Sequence, residues 1–361
     1  MSELIKIAVA QIDIAFADRE QNLARMIQVL EETAGQGAKL TVFPEAALTG
    51  YCFDSLDEAR PHAEPIPGPS TRRMADVCRK LGCHVVYGLL EDDGKERVFQ
   101  SIEAALVTAV KNTLGEQAKV VVKIDRATGA LSGTRDGQPI ALDEIERISA
   151  QSVKNDIVQK IRESARESGD RVFNACVLVG PDGVVATYRK VHLPFLGVDR
   201  FTTPGDQPFA VHEAAGMRIG MNICYDGGFP EPARVLTLLG ADLVVLPTNW
   251  PPGAECMAGC VVNARAMENN IFYAACDRVG DERGFHFIGQ SKICDPSGRV
   301  LAEAMHDREA ILYADVNVAV ARQKKIVRRA KLHEIDRIRD RRPQFYGPIV
   351  EPKRQFEHDA S

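Results

Sequence analysis

The chain is 361 residues long, 45% hydrophobic and 26% charged, which allows one large domain or two smaller ones and is ordinary for a soluble globular protein with a substantial core. A formal charge of −5 gives no electrostatic reason to expect nucleic acid or an anionic membrane as partner, and no apolar run approaches the roughly 18 residues of a membrane-spanning helix. The opening MSELIKIAVAQIDIAF lacks the basic start and unbroken apolar stretch of a signal peptide, and nine cysteines without a repeating spacing fit free thiols in a reducing cytoplasm better than a disulfide framework.

Short apolar runs rich in β-branched residues then alternate with segments of helical period. Ile5–Ile12 predicts a strand, Asn22–Thr33 an amphipathic helix, Leu40–Phe43 a strand, Ser70–Leu81 a helix and His84–Leu90 a third strand. Further on, Val172–Val179, the run VVATYR before Lys190, Arg218–Ile223 and Leu243–Pro247 continue the series. Strands separated by helical segments argue for an α/β layered fold. Proline clusters and Pro-Gly pairs mark loops at Pro65–Pro69, Pro204–Gly205 and Pro251–Gly253.

Residues 94–169 break that rhythm. The tripeptide Arg-Val-Phe occurs at 97–99 and again at 171–173, and the stretch from 94 to 169 contains no Cys, His, Trp or Tyr. Val98, Phe99, Ile102, Ala105, Leu106, Ala109 and Val110 follow helical spacing. KVVVKIDRATGALSG reads as two strands joined by a turn at Arg126–Gly129, and Ile145, Ile148, Val153, Ile157 and Ile161 share one face of a second helix. A helix–hairpin–helix unit of this size is expected to be an α+β insertion in a surface loop, where insertions are tolerated best. Its 12 Lys/Arg against 11 Asp/Glu exclude a basic nucleic-acid arm. The expected organisation is a discontinuous domain, 1–93 and 170–320, the inserted module 94–169 and a C-terminal extension 321–361.

Three motifs outside the insertion carry chemistry. In FPEAALTGY, Glu45 directly follows a predicted strand, where a carboxylate can act as general base beside a pocket; a surface glutamate in a turn is the structural alternative. In YRKVHLP, Lys190 follows VVATYR and can stabilise a developing oxyanion, unless it is simply solvated; His192 beside it reads as structural. In MRIGMNICYDGGFPEPAR an apolar strand runs into Cys224, and a short glycine-containing turn leads to a helix from Pro230. This is a nucleophile-elbow arrangement, with an exposed thiol, a helix N-terminus that favours thiolate, and backbone N–H groups such as that of Tyr225 for an oxyanion. A buried structural cysteine is the alternative. Cys256 and Cys260 have no second ligand pair nearby, so no metal site is expected.

Taken together, FPE, YRKVHLP and CYDGGFPE resemble the nitrilase, or carbon–nitrogen hydrolase, superfamily, whose Glu–Lys–Cys triad occurs in this order. The resemblance spans roughly 3–93 and 170–320 and includes PTNWPP, NARAMENN and GQSKICDPSGRVLAEA. It implies a four-layer α-β-β-α sandwich, commonly dimerised or further oligomerised, and amide hydrolysis through a Cys224 thioester with no cofactor. Glu45, Lys190 and Cys224 are the implied catalytic residues. Tyr225, Asp226, Asn249 and Trp250 are candidates for holding the oxyanion or a small-molecule amide substrate. Cys-Tyr-Asp is similar to amidase branches more than to true nitrilases. Gly227-Gly228 stands where branches acting on N-carbamoyl amino acids often carry arginines, and their absence argues against that substrate class unless an arginine elsewhere, such as Arg200, substitutes. The family's second glutamate, beyond the lysine, is missing, and Asp199 is the acid before Asp206 that is expected to replace it. Pieces of 94–169 are also similar to the N-terminal region of the transcription factor NusA, which contacts RNA polymerase. That resemblance offers a docking surface, against a graft that merely folds.

Overall fold

The computed structural model describes residues 4–93, 103, 106–108, 110–111, 119–124, 131–140 and 171–351. The chain opens with β1 (Ile5–Gln11), the helix Arg19–Gly35, β2 (Leu40–Val42), the helix Pro69–Leu81 and β3 (His84–Asp92). Both predicted helices form and extend beyond their apolar periodicity. Asp18 accepts from the Gln21 N–H at 3.0 Å and so starts the first helix one turn before the periodic residues. The strands β4 (Val120–Ile124), β5 (Leu131–Arg135) and β6 (Gln138–Pro139) come next, then β7 (Val172–Gly180) and β8 (Gly183–Arg189). A second series follows: β9 (Val211–Ala214), β10 (Met217–Met221), β11 (Leu243–Thr248), β12 (Phe272–Asp277), β13 (Val279–Glu282), β14 (Phe285–Ile288), β15 (Lys292–Cys294), β16 (Val300–Glu303) and β17 (Ala310–Val316).

Two six-stranded sheets result, in the orders β17-β1-β2-β3-β7-β8 and β16-β15-β12-β11-β10-β9. In each, three central strands run parallel and the flanking ones antiparallel. The pleat sorts side chains by period two. Ile7, Val9, Val42, Val86, Cys176 and Leu178 join a core shared with the second sheet. Val85, Tyr87, Ala175, Val177 and Val179 point the other way, onto Leu23, Met26, Leu30, Met74 and Cys78 of the first two helices. The second sheet is covered in turn by Ala233, Leu236, Val262 and Ala266 of the helices Pro230–Leu238 and Val262–Asn269. This is the expected four-layer α-β-β-α order. Each fully buried aliphatic side chain contributes about 1.5–3 kcal/mol to holding the layers together.

Within 94–169, β4 and β5 pair antiparallel as the expected hairpin, with β6 added at the edge. Its turn and the second helix lie outside the described residues. Positions 103, 106–108, 110 and 111 of the first helix are helical, with Leu106 and Val110 buried. The excursion departs from and returns to register partners: β3 and β7 are antiparallel neighbours, and Asp92 lies opposite Val172. Beyond β17 a short hairpin joins β18 (Ile326–Arg329) to β19 (His333–Ile335). Among the described residues no helix is long and apolar enough to cross a membrane.

Candidate active site

Glu45, Lys190, Asp199 and Cys224 come from four connections and meet at the ends of the strands. Glu45 follows β2, and its loop is drawn in by β3. The Gly88 N–H donates to Pro44 O at 3.1 Å, and Leu48 N–H to Gly88 O at 3.1 Å. A Cβ on Gly88 would stand 2.2 Å from the Ala46 nitrogen, so only glycine admits this approach. Lys190 directly follows β8, and its backbone N–H donates to Asn174 O of the neighbouring β7 at 2.8 Å. Both side chains are shut off from water.

The ammonium of Lys190 donates to Glu45 Oε1 at 2.6 Å and to Asp199 Oδ2 at 2.5 Å. Asn174 Nδ2 spans the same two acids, donating to Glu45 Oε1 and Asp199 Oδ1, each at 2.7 Å. The Tyr51 hydroxyl completes the cradle at 2.8 Å from Asp199 Oδ2. Glu45 Oε2 is buried and has no partner among the described residues. Burial pushes the Glu45 carboxyl above its ordinary range; Lys190 opposes this and Asp199 adds to it. For Lys190 burial works downward, but Asp199 and Glu45 together outweigh it and hold the ammonium well above the usual lysine value. The geometry is that of one lysine ammonium shared between two acidic side chains.

Cys224 begins the tight turn Cys224–Gly228 with φ 45°, a left-handed conformation that a non-glycine residue holds only when its surroundings impose it. Those surroundings are Asp226. Its Oδ2 accepts from the Ile223 N–H at 3.0 Å and the Tyr188 hydroxyl at 2.7 Å, while Oδ1 faces the His192 N–H at 3.1 Å and His192 Nδ1 at 2.7 Å. His192 stacks on Phe229, ring centroids 4.0 Å apart.

The exposed, helix-activated thiol expected from the motif needs correction. Cys224 is only 7% exposed, and the helix proper starts at Pro230. Burial and then the charge of Glu45 raise the thiol above its usual value, against the pull of Lys190 and of the Asn249 N–H and Thr248 hydroxyl. Cys224 thus holds its thiol proton more tightly than an ordinary cysteine, beside Glu45. Asp226 is fully buried with both oxygens engaged inside the protein, so it shapes the turn and is not free to touch a substrate. Trp250 is buried in the larger core cluster, and its backbone N–H donates to Asp277 Oδ1 at 2.8 Å. Asn249 is 1% exposed, and both polar atoms of its carboxamide lack a partner among the described residues. Tyr225 follows the nucleophile, its ring 45% exposed and edge-on to Phe229. Arg200 spends its guanidinium on the carbonyls of Gly197 and Phe53. Arg265 reaches the carbonyls of Gly227 and Gly228 and pairs with Glu268.

Tyr51 and Asn174 were not singled out by the motifs. Tyr51 closes the quoted FPEAALTGY and Asn174 sits in an apolar strand, where a lone buried amide asks for a partner. Among the described residues no group of three or more His, Cys, Asp or Glu is placed to hold a metal ion; Cys256 and Cys260 are exposed.

Sheets, layers and the buried acid–lysine–thiol cluster define a class, and comparison with known proteins gives the same one. The sequence matches the carbon–nitrogen hydrolase family over residues 6–126 and 134–326. The chain belongs to that family and is a hydrolase of the nitrilase superfamily. It is 29% identical to a nitrilase of Pyrococcus abyssi over 95% of this chain and 99% of that protein. It is 33% identical to "Hydrolase in pqqF 5'region" of Pseudomonas protegens over 96% and 92%, and 24% identical to human omega-amidase NIT2 over 94% and 99%. In fold it is similar to a carbon–nitrogen hydrolase of Helicobacter pylori G27, with a TM-score of 0.67, 19% identity and coverage of 97% and 99%. It is also similar to an amidase from Nesterenkonia sp. AN1 whose active-site cysteine carries the acetamide moiety of fluoroacetamide, with a TM-score of 0.61, 20% identity and 95% of each chain covered.

Proposed function

We propose that this chain is an amidase that forms a thioester on Cys224 and releases ammonia or an amine from a small neutral amide. The observation that carries the reading is the unpaired, buried Oε2 of Glu45 in a site where every other carboxylate oxygen on Lys190 is engaged. Such an oxygen is costly to leave unmade in a folded protein and is suited to receiving a proton.

Glu45 takes the proton of the Cys224 thiol as the sulfur attacks the amide carbon, so the thiolate need not exist at rest. Two of the Lys190 N–H groups are held by Glu45 and Asp199; its third, with the Tyr225 N–H, stabilises the tetrahedral oxyanion. The C–N bond breaks as Glu45 returns the proton to the leaving nitrogen. Glu45 then takes a proton from water as its oxygen attacks the thioester, the C–S bond breaks, Glu45 passes that proton to the Cys224 sulfur, and the acid product leaves as its carboxylate. Asp199 does the work of the missing second glutamate by keeping Lys190 charged and aimed. The amidase-like relatives support an amide as the group attacked.

A neutral substrate follows from the cations nearby. Arg200 and Arg265 are committed to backbone carbonyls, which disfavours an N-carbamoyl amino acid held by its carboxylate. The unspent Asn249 carboxamide suits a hydrogen-bonding acyl group. The test is ammonia release from aliphatic amides, ω-amides, carbamoyl compounds and nitriles. Turnover of a neutral amide that disappears in Cys224→Ala supports the reading, and turnover confined to nitriles or carbamoyl acids overturns it.

A further inference from the structure

Asp199 is one methylene shorter than glutamate, yet its carboxylate lies 2.5 Å from Lys190 Nζ. The loop that carries it packs closely on Tyr51. Gly197 has φ 49°, and a Cβ there would fall 2.4 Å from a ring carbon of Tyr51, so the backbone rests directly on that ring. The Val198 N–H donates to Tyr51 O at 2.8 Å, and the Tyr51 hydroxyl lies 3.1 Å from Leu196 O and 2.8 Å from Asp199 Oδ2. Tyr51 is itself fixed from behind: the N–H groups of Tyr51 and Cys52 both donate to Glu282 Oε1, at 2.8 and 2.5 Å, and Glu282 Oε2 accepts from Arg278 at 2.5 Å. A fully buried tyrosine thus has its backbone, ring and hydroxyl all engaged on one side with the loop of the acid.

We infer that Tyr51 is a positioning residue for the acyl-transfer site, seating the Asp199 carboxylate on Lys190, and that glycine at 197 is what lets the shorter acid reach. The inference rests on the reading of Cys224 as nucleophile only for its kinetic test. Tyr51 acts through Asp199 and does not touch the substrate. Its hydroxyl therefore acts on Lys190 through the charge and aim of the Asp199 carboxylate.

A double-mutant cycle on the full chain tests this, with Tyr51→Phe, Asp199→Asn and both together. It is read as kcat and KM for propionamide and, independently of the substrate, as the pH profile of Cys224 alkylation by iodoacetamide resolved by peptide mass spectrometry. Losing one hydrogen bond to a charged group should lower kcat about tenfold in Tyr51→Phe with KM held within about twofold. Asp199→Asn should fall further, and the double variant should match Asp199→Asn alone in both readouts. Losses that multiply in the double variant, or a Tyr51→Phe effect confined to KM or explained by a lowered Tm, overturn the inference. If wild type leaves propionamide untouched while the alkylation cycle is still non-additive, the positioning role stands and the amide reading falls.

Discussion

Arg189 and Lys190 are consecutive residues at the end of β8, and each organises a cluster of acids, with opposite results. Arg189 turns outward to Glu91, Asp93 and Asp206 beside Arg171, and all six carboxylate oxygens there accept from one of the two arginines, at 2.6–3.1 Å. Its guanidinium also lies over the Phe173 ring, 3.9 Å from the centroid. Lys190 turns inward to Glu45 and Asp199, where nothing is exposed and one carboxylate oxygen is left over. Strand alternation sends neighbouring side chains to opposite faces, so one strand end supplies both a structural clamp and a reactive centre. The difference lies in the acids. The outer cluster has every carboxylate oxygen engaged and holds strands together, its one unpartnered buried atom among the described residues being the Arg171 Nε donor. A carboxylate oxygen left without a donor in a dry site is instead poised for chemistry.

The comparison is broken most severely at the nucleophile. Cys224→Ala should lower amide turnover by about 10⁴-fold or more while circular dichroism and Tm stay near wild type; retained activity would remove Cys224 from the mechanism. Glu45→Gln should cost about 10²–10⁴ in kcat and abolish the acid limb of the pH–rate profile. Its stability effect has a definite sign. The Glu45 carboxyl is raised above 4.5 by burial, so the folded chain holds that proton more tightly than the unfolded one. The associated stability is complete below the unfolded value and is lost as pH rises through the folded value. Tm of Glu45→Gln should therefore lack that decline and exceed wild type near neutrality, and a parallel pH dependence of the two proteins would contradict the assignment.

A paired substitution sharpens the contrast. Lys190→Met strands two buried carboxylates, and should both inactivate the enzyme and destabilise it by about 3–5 kcal/mol. Arg189→Met strands the buried Glu91 carboxylate, while Arg171 still holds Asp93 and Asp206. It should also cost about 3–5 kcal/mol but leave kcat within about twofold, so the two positions part in kinetics; chemical denaturation and steady-state kinetics measure both. Equal effects on kcat at the two positions would erase the distinction. The smallest effect concerns the segment that leaves beside the outer cluster. Deleting 94–168 so that Asp93 joins Gly169 should restore a short connection between β3 and β7, whose ends already lie in register. Closing the longer excursion costs only about 1–2 kcal/mol, so the shortened chain should stay soluble and active and melt no lower than the parent. Insolubility or inactivity would make the segment part of the hydrolase core. A pull-down of RNA polymerase with the full chain separates a docking role for 94–169 from a graft that merely folds.

Periodicity alone was enough for an α/β layered fold and for strands such as β1, β2, β3, β7, β10 and β11, whose apolar runs are unbroken because both faces of each sheet are buried, whereas the four-layer order came from the family resemblance. That Glu45, Lys190 and Cys224 would come together was legible because each stands shortly after such a run. The raised thiol was not: whether Cys224 feels a helix end or a buried carboxylate depends on depth, and FPE and CYD say nothing of depth. Asp226 looked like a substrate contact because it follows the nucleophile; only the coordinates bring Tyr188 and His192, from β8 and the loop after it, onto both its oxygens. Tyr51 and Asn174 escaped for the same reason, since their partner Asp199 is 148 and 25 positions away.

The central claim is a common acyl-enzyme on Cys224. Propionamide and methyl propionate share an acyl group and differ in leaving group, and hydroxylamine competes with water for any thioester they form. The ratio of propionohydroxamate to propionate, measured with each substrate over a range of hydroxylamine concentrations, should be the same for both and should vanish with all turnover in Cys224→Ala. A ratio that changes with the leaving group, or that survives removal of the thiol, would contradict a Cys224 thioester.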